Sequence, residues 1–282
     1  MVSHDHQSHG RRAQRLRAVF GGAILLAAAG LSLSAGAAPA ASFAGSDARC
    51  RAGIAQQPFA PSLPAARRAL QETGRLTVVA LGSSTTAGSG ASAEDKSYPA
   101  VLQAELRRRL PGAEIRVVNK GVGGQSAYDM VMRMDGDVLE ERPTLVIWQT
   151  VITDAIRDIG EEKLAKILRK GITKARTAGM DLILMDLPWL PREGRYPHYD
   201  DYRGLLARIA QDQNVALFPR YAMMRGWARS KQFSDEELVG MDGVHLLDGG
   251  YRCLALRIAD GIVSALGDVR IDVVRPAPAA TE

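Results

Sequence analysis

The stretch VALGSSTTAG, Val79–Gly88, decides how this chain is to be read. It closes an apolar, β-branched run that opens at Leu76 and stops abruptly at Gly82, where small hydroxyl residues take over. A buried strand that ends on glycine and then offers two serines and two threonines has two explanations. Either this is a polar turn, or one of the hydroxyls is a nucleophile.

Similar apolar runs lie at Ile115–Asn119, Leu145–Gln149, Leu182–Met185 and Val215–Phe218. Helical patterns stand between or after them. Tyr202, Leu205, Leu206 and Ile209 fall on one helical face, as do Leu164, Ile167, Leu168 and Ile172, and Tyr251, Leu254, Ile258 and Ile262. Strand then helix, repeated, predicts a parallel sheet covered on both faces, hence a three-layer α/β/α sandwich with five strands. In such sheets ligands bind outside the carboxyl ends of the strands. Gly82–Thr86 lies at such an end, followed by a Gly/Ser/Ala loop over residues 86–97 and a helix opening near Ser97.

Residues 1–40 do not read as part of this fold. Arg11, Arg12, Arg15 and Arg17 precede an Ala/Gly/Leu-rich stretch from Val19 to Leu33, and Ala38-Pro39-Ala40 offers a cleavage site. This predicts a secretory signal peptide. A membrane anchor needs about 20 apolar residues, more than this diluted run supplies. The residues after Arg11-Arg12 do not support twin-arginine export. An Ala/Pro-rich leader over 41–73 is expected next, with a short helical pattern at Ala65–Gln71, then one domain over 74–270 and a tail over 271–282.

The chain of 282 residues carries 36 Lys and Arg against 31 Asp and Glu. Residues 1–40 hold four of the arginines and one aspartate, leaving 32 against 30, so the charge implies no nucleic-acid partner. Two cysteines, Cys50 and Cys253, are expected to pair in an oxidising compartment. Of five histidines only His198 and His245 lie beyond residue 40, which leaves no zinc-like Cys/His cluster. No metal and no cofactor are expected.

Three glycine motifs are excluded. There is no G-K-[ST] phosphate loop, Gly121-Val122-Gly123-Gly124 lacks the dinucleotide spacing, and Gly82-Ser83-Ser84-Thr85-Thr86 misses the second glycine of a G-x-S-x-G elbow. A serine nucleophile needs a base, and the base needs an orienting group. Asp242-Gly243-Val244-His245 supplies both, because a turn at Gly243 lets the carboxylate reach Nδ1–H and leaves Nε2 for the serine proton. His198, in RYPHYDDY, is the rival base and reads more plainly as a surface or substrate-contacting residue.

The order of these motifs resembles the SGNH (GDSL-type) hydrolase superfamily over residues 76–267. The resemblance implies a flavodoxin-like sandwich, a metal-free mechanism and cleavage of esters or thioesters. It implies Ser84 as nucleophile, with Ser83 where the family usually has Asp, and Asp242 and His245 as its partners. VVNKGVGGQS resembles the second block, so the backbone N–H groups of Ser84 and Gly124 are the implied oxyanion donors. The third block departs. In LVIWQTVITDAIRD, Val151 stands for glycine and Thr153 for the asparagine whose amide completes the oxyanion hole, while Asp154 agrees. Thr153 has a shorter arm, and its hydroxyl is expected to prefer a nearby backbone carbonyl.

Trp148 reads as core. Trp189, on the functional edge, reads equally as substrate wall or packing, and Trp227 is a further candidate for such a wall. Arg157 is expected either to pair with Asp158 or to face an anionic substrate. The expectation is a secreted or periplasmic serine esterase acting on a small acyl group of a glycan or similar alcohol. A lysophospholipase or thioesterase is the alternative, and so is a family member that binds glycan or lipid without turnover. No stable membrane insertion after signal cleavage is expected.

Overall fold

The structure is a computed structural model that describes residues 48–51, 59–231 and 233–269. The expected signal peptide and tail lie outside the described residues. Five strands form one parallel sheet: β1 Arg75–Gly82, β2 Glu114–Gly121, β3 Leu145–Gln149, β4 Asp181–Met185 and β5 Ala216–Phe218, in the order β2-β1-β3-β4-β5. β2 runs two residues beyond the expected run at its carboxyl end, because Lys120 and Gly121 still pair with Leu81 and Gly82.

Along each inner strand, residues alternate between two cores. Val78, Ala80, Leu145, Ile147, Ile183 and Met185 face one; Val79, Leu81, Val146, Trp148, Leu182 and Leu184 face the other. Strands buried on both faces read as continuous apolar runs, which is why β1 from Val78 to Leu81 and β3 from Leu145 to Trp148 carry no polar residue. Helices over Tyr98–Arg109 and Asp248–Leu266 cover the first face, those over Ala127–Asp137, Glu161–Thr177 and Tyr199–Asp212 the second. The helical faces anticipated from periodicity are the buried ones, with Tyr251, Leu254, Ile258 and Ile262 at 0% exposure.

The segment preceding residue 74 contributes Phe59, Leu63, Ala66 and Leu70 to the first core, the last two from the helix Pro64–Thr73. A Cys50–Cys253 disulfide ties residues 203 apart, with the Cα atoms 5.0 Å apart. Trp227 donates to the Cys50 carbonyl at 3.0 Å. Among the described residues no helix is long and apolar enough to cross a membrane.

Candidate active site

The opening question has a steric answer at Gly82. A Cβ built there would stand 2.0 Å from Thr86 Oγ1 and 2.8 Å from Gln149 Oε1. The chain turns back on itself directly after the strand, so only glycine fits. The turn is the single helical turn Ser84–Ala87, with Ser84 half-buried at its start and Thr85 and Thr86 buried behind it. Beneath lies a neutral polar network. Gln149 Oε1 accepts from Ser83 N–H at 3.0 Å and from Thr86 Oγ1–H at 3.1 Å, the Gln149 amide and the Ser83 hydroxyl lie 3.1 Å apart, and Thr86 Oγ1 lies 3.2 Å from Tyr98 Oη. Ser83, in the place of the family aspartate, is therefore held by an amide. A buried hydrogen-bonded amide costs less than an unpaired carboxylate would.

The Asp242–His245 segment approaches from across the sheet edge. Gly243 adopts φ +72°, and the Asp242 carboxylate accepts the N–H groups of Val244 at 2.9 Å and His245 at 3.0 Å. Its other oxygen lies 2.6 Å from His245 Nδ1, and His245 Nε2 lies 2.8 Å from Ser84 Oγ. Burial pushes the Asp242 carboxyl up, but the His245 and Val244 N–H groups and the imidazole outweigh it and hold it below the usual carboxylate range. Leu246, buried beside His245, fixes the segment, as does its antiparallel bridge to Val239. Three further bonds link the loop after Ser84 to the helix after His245: the Ser92 N–H at 2.8 Å and Oγ–H at 2.6 Å to Asp248, and Tyr251 Oη–H to the Ser89 carbonyl at 2.6 Å.

The second-block loop lies on the opposite flank of Ser84. Val122 N–H donates to the Gly82 carbonyl at 3.0 Å, and Arg133 donates to the carbonyls of Gly82 (3.0 Å) and Lys120 (2.8 Å), joining the ends of β1 and β2. Gly124 sits exposed at φ +74°. Among the described residues neither its N–H nor that of Ser84 has an acceptor. Two such donors beside a serine can receive a developing oxyanion.

The departing third block keeps the backbone of the pattern it breaks. Val151 occupies the left-handed region at φ +74°, ψ −28°, the conformation that glycine reaches without cost. A β-branched residue there stores about 1–3 kcal/mol of strain, tolerated where its surroundings over-determine it. Thr153 follows, half-buried in the helix Ile152–Arg157. The expectation that its hydroxyl turns to a backbone carbonyl is not met: among the described residues it has no hydrogen-bond partner. Asp154 is fully buried and accepts the Ala127 N–H at 2.9 Å. Burial raises its pKa to about 6 against the lowering effect of that bond.

Other candidates lie apart from this chain of bonds. His198 is exposed beside Asp201 at 3.1 Å and Asp158 at 3.9 Å, and makes no contact with Ser84. Trp189 is half-buried and packs against both cores. Trp148 and Trp227 are fully buried, Trp148 donating to Met130 Sδ at 3.2 Å; neither forms a substrate wall. Arg157 does not pair with Asp158: it donates to the Gly124 carbonyl at 3.2 Å, and Asp158 instead accepts from Tyr202 Oη–H. Sequence reasoning missed Gln149, Tyr98 and Asp248. Gln149 alone left a signal, a polar residue closing an otherwise apolar strand.

Residues 49–268 match the model of the non-GDSL lipase-like family. The esterase TesA of Pseudomonas aeruginosa is 25% identical over 186 residues, covering 66% of this chain and 84% of that protein. An arylesterase of Vibrio mimicus is 24% identical over 142 residues, covering 50% and 69%. Among solved structures, a lipolytic protein of the G-D-S-L family from Desulfitobacterium hafniense superposes with a TM-score of 0.55 at 26% identity, covering 66% of this chain and 98% of that one. The acetyl xylan esterase AlAXEase shares the fold with a TM-score of 0.58 at 21% identity, covering 67% and 100%.

Proposed function

Because the chain belongs to the non-GDSL lipase-like family of the SGNH hydrolase superfamily and is a hydrolase of ester bonds, we propose that it works through a serine acyl-enzyme. The observation that carries this is the unbroken relay Ser84 Oγ–His245 Nε2–Asp242. Ser84 Oγ attacks the ester carbonyl while His245 Nε2 takes its proton. The tetrahedral oxyanion is received by the N–H groups of Ser84 and Gly124, and the Thr153 hydroxyl adds little. His245 then protonates the leaving alcohol, and water repeats the sequence on the acyl-enzyme. Asp242 holds the imidazole tautomer and stabilises the imidazolium. No metal or cofactor enters this scheme.

The substrate in this reading is a small acyl group, acetyl foremost, on a glycan or similar alcohol, with Trp189 and His198 as outer contacts. The protein is exported: residues 1–40 act as the signal, and the Cys50–Cys253 disulfide suits an oxidising compartment. One observation favours longer acyl chains instead. The five exposed large apolar side chains of the described residues, Val122, Tyr128, Met132, Ile156 and Met241, all lie on segments that carry the site. A chain-length series of p-nitrophenyl esters on the purified protein decides between them. Turnover falling from acetyl to octanoyl supports the first substrate, and a rise supports the second. A fluorophosphonate probe that fails to label Ser84 in folded protein would leave a binder without turnover.

A further inference from the structure

The loop from Gly121 to Ser126 is the least self-supporting part of the site. Gly121, Gly123 and Gly124 offer no side chain, and Val122 is 44% exposed. A hydrogen bond weakens steeply off line, so a donor on such a loop needs an external hold. The short helix that follows β3 supplies it at two points. From Ile152–Arg157, the buried Asp154 carboxylate takes the Ala127 N–H just past the loop, at 2.9 and 3.2 Å. Arg157 Nη2 donates to the Gly124 carbonyl itself, at 3.2 Å. Neither residue touches Ser84 or His245 among the described contacts.

We propose that Asp154 and Arg157 are positioning residues for ester hydrolysis, bracing the glycine loop so that the Gly124 N–H meets the oxyanion. This rests on the serine-esterase reading above. Arg157 fixes the Gly124 peptide on its carbonyl side and Asp154 fixes the start of the next helix, so the two contacts hold the C-terminal half of the loop, whose start is held by the Val122 N–H on the Gly82 carbonyl. Val151, held in its left-handed conformation, sets the direction in which this helix leaves β3. The loop in turn secures itself through the Ser126–Asp129 capping box at the head of the Ala127–Asp137 helix. The brace acts on a group whose bond strengthens in the transition state, so its loss appears in kcat more than in KM.

The test uses the full chain with the substitutions Arg157→Met, Arg157→Lys, Asp154→Ala and Asp154→Asn. Measured for each are kcat and KM on p-nitrophenyl acetate, the rate of Ser84 phosphonylation and the melting temperature. Misplacing one donor costs on the order of tenfold to a hundredfold. Arg157→Met should lose about that much in kcat and in phosphonylation rate, with KM within about threefold and melting unchanged. Added guanidinium ion at low millimolar concentration should restore part of the loss, and Arg157→Lys should fall between. Asp154→Asn, which keeps an acceptor oxygen, should exceed Asp154→Ala in activity. If Asp154→Ala does not fold, the exposed Arg157 carries the test alone. An active, labelled enzyme whose kcat stays within twofold in Arg157→Met overturns the brace. A loss that tracks only the folded fraction and resists guanidinium overturns it too. Wild-type protein that the probe does not label removes the esterase reading, and the brace with it.

Discussion

The two backbone N–H groups proposed as oxyanion donors are held in opposite ways. Ser84 stands on a turn packed over buried Ser83, Thr85 and Thr86 and wired to Gln149 and Tyr98. Gly124 stands on an exposed glycine loop wired by single contacts from Asp154 and Arg157. A buried network is cooperative and couples geometry to folding stability. Solvent-exposed contacts of the Arg157 kind add little stability but still set direction. One region of the site is thus part of the core, and the other is separable from it.

The largest effects fall on the relay that both regions serve. Ser84→Ala should abolish probe labelling and turnover, and His245→Ala should cost several orders of magnitude in kcat, since members of such a unit fail together. Ser83→Ala should still be labelled. Labelling that survives Ser84→Ala would show that neither region surrounds the nucleophile.

Reduction of Cys50–Cys253 should lower stability by roughly 4–5 kcal/mol on the chain-entropy model, read as a shift in the denaturant midpoint. With the fold retained, kcat should hold, because neither donor contacts the disulfide. A fall in kcat of folded, reduced protein would mean that the two donor regions are not independent of the helix bearing Cys253.

Gln149→Leu then sharpens the contrast. It leaves the Ser83 N–H and hydroxyl buried without their Gln149 partner, at about 1–3 kcal/mol for each orphaned group, while Thr86 keeps Tyr98. Melting temperature and kcat should fall together, whereas Arg157→Met should move kcat alone. Equal melting shifts in the two variants would erase the distinction drawn here.

Asp154 gives a pH test of how the Gly124 side is anchored. Its folded pKa, about 6, lies above the unfolded value of 3.8, so between these values the native state binds the extra proton. Its contribution to stability is therefore greatest below about pH 4 and is lost as pH rises through about 6, by on the order of 1–3 kcal/mol. Asp129 and Arg157, the charged groups nearest it, act in opposite directions. The stability of wild type relative to Asp154→Asn, from denaturant melts, should fall across that window. A flat difference would show that Asp154 does not titrate there.

The smallest effect concerns Thr153. If the two N–H donors carry the oxyanion, Thr153→Ala should cost less than about tenfold in kcat, at most ~1.4 kcal/mol. Its unpartnered hydroxyl makes a larger loss possible, and a hundredfold drop would make it a full third donor. His198→Ala should stay within the same tenfold limit.

Much of this was legible in the residues. The β-branched runs at Leu76–Leu81 and Leu145–Gln149 lie within β1 and β3, because strands covered on both faces are dominated by apolar side chains. Asp242 and His245 were legible as a pair because the Asp–Gly–Val–His turn is local, three residues from carboxylate to ring. The partner of Arg157 was not legible, for the converse reason: of the two roles open to it, pairing with its neighbour Asp158 is not taken, and its contact is to Gly124, 33 positions away. Thr153 failed similarly, since the local preference for a carbonyl lost to the geometry of a helix opened by a left-handed Val151.

By itself, then, the chain's order of residues determined the parallel sandwich and the local pair Asp242–His245. These follow from periodicity, from turn residues and from a short motif, all of which act over a few residues. Only the tertiary structure decided that Gln149 holds Ser83 across 66 positions, that Asp248 ties down Ser92 across 156, and that Arg157 reaches the Gly124 carbonyl across 33. Those contacts depend on register between strands and on which side chains two independently folded segments present to each other. No local pattern encodes that, because the partner is chosen by the closure of the sheet.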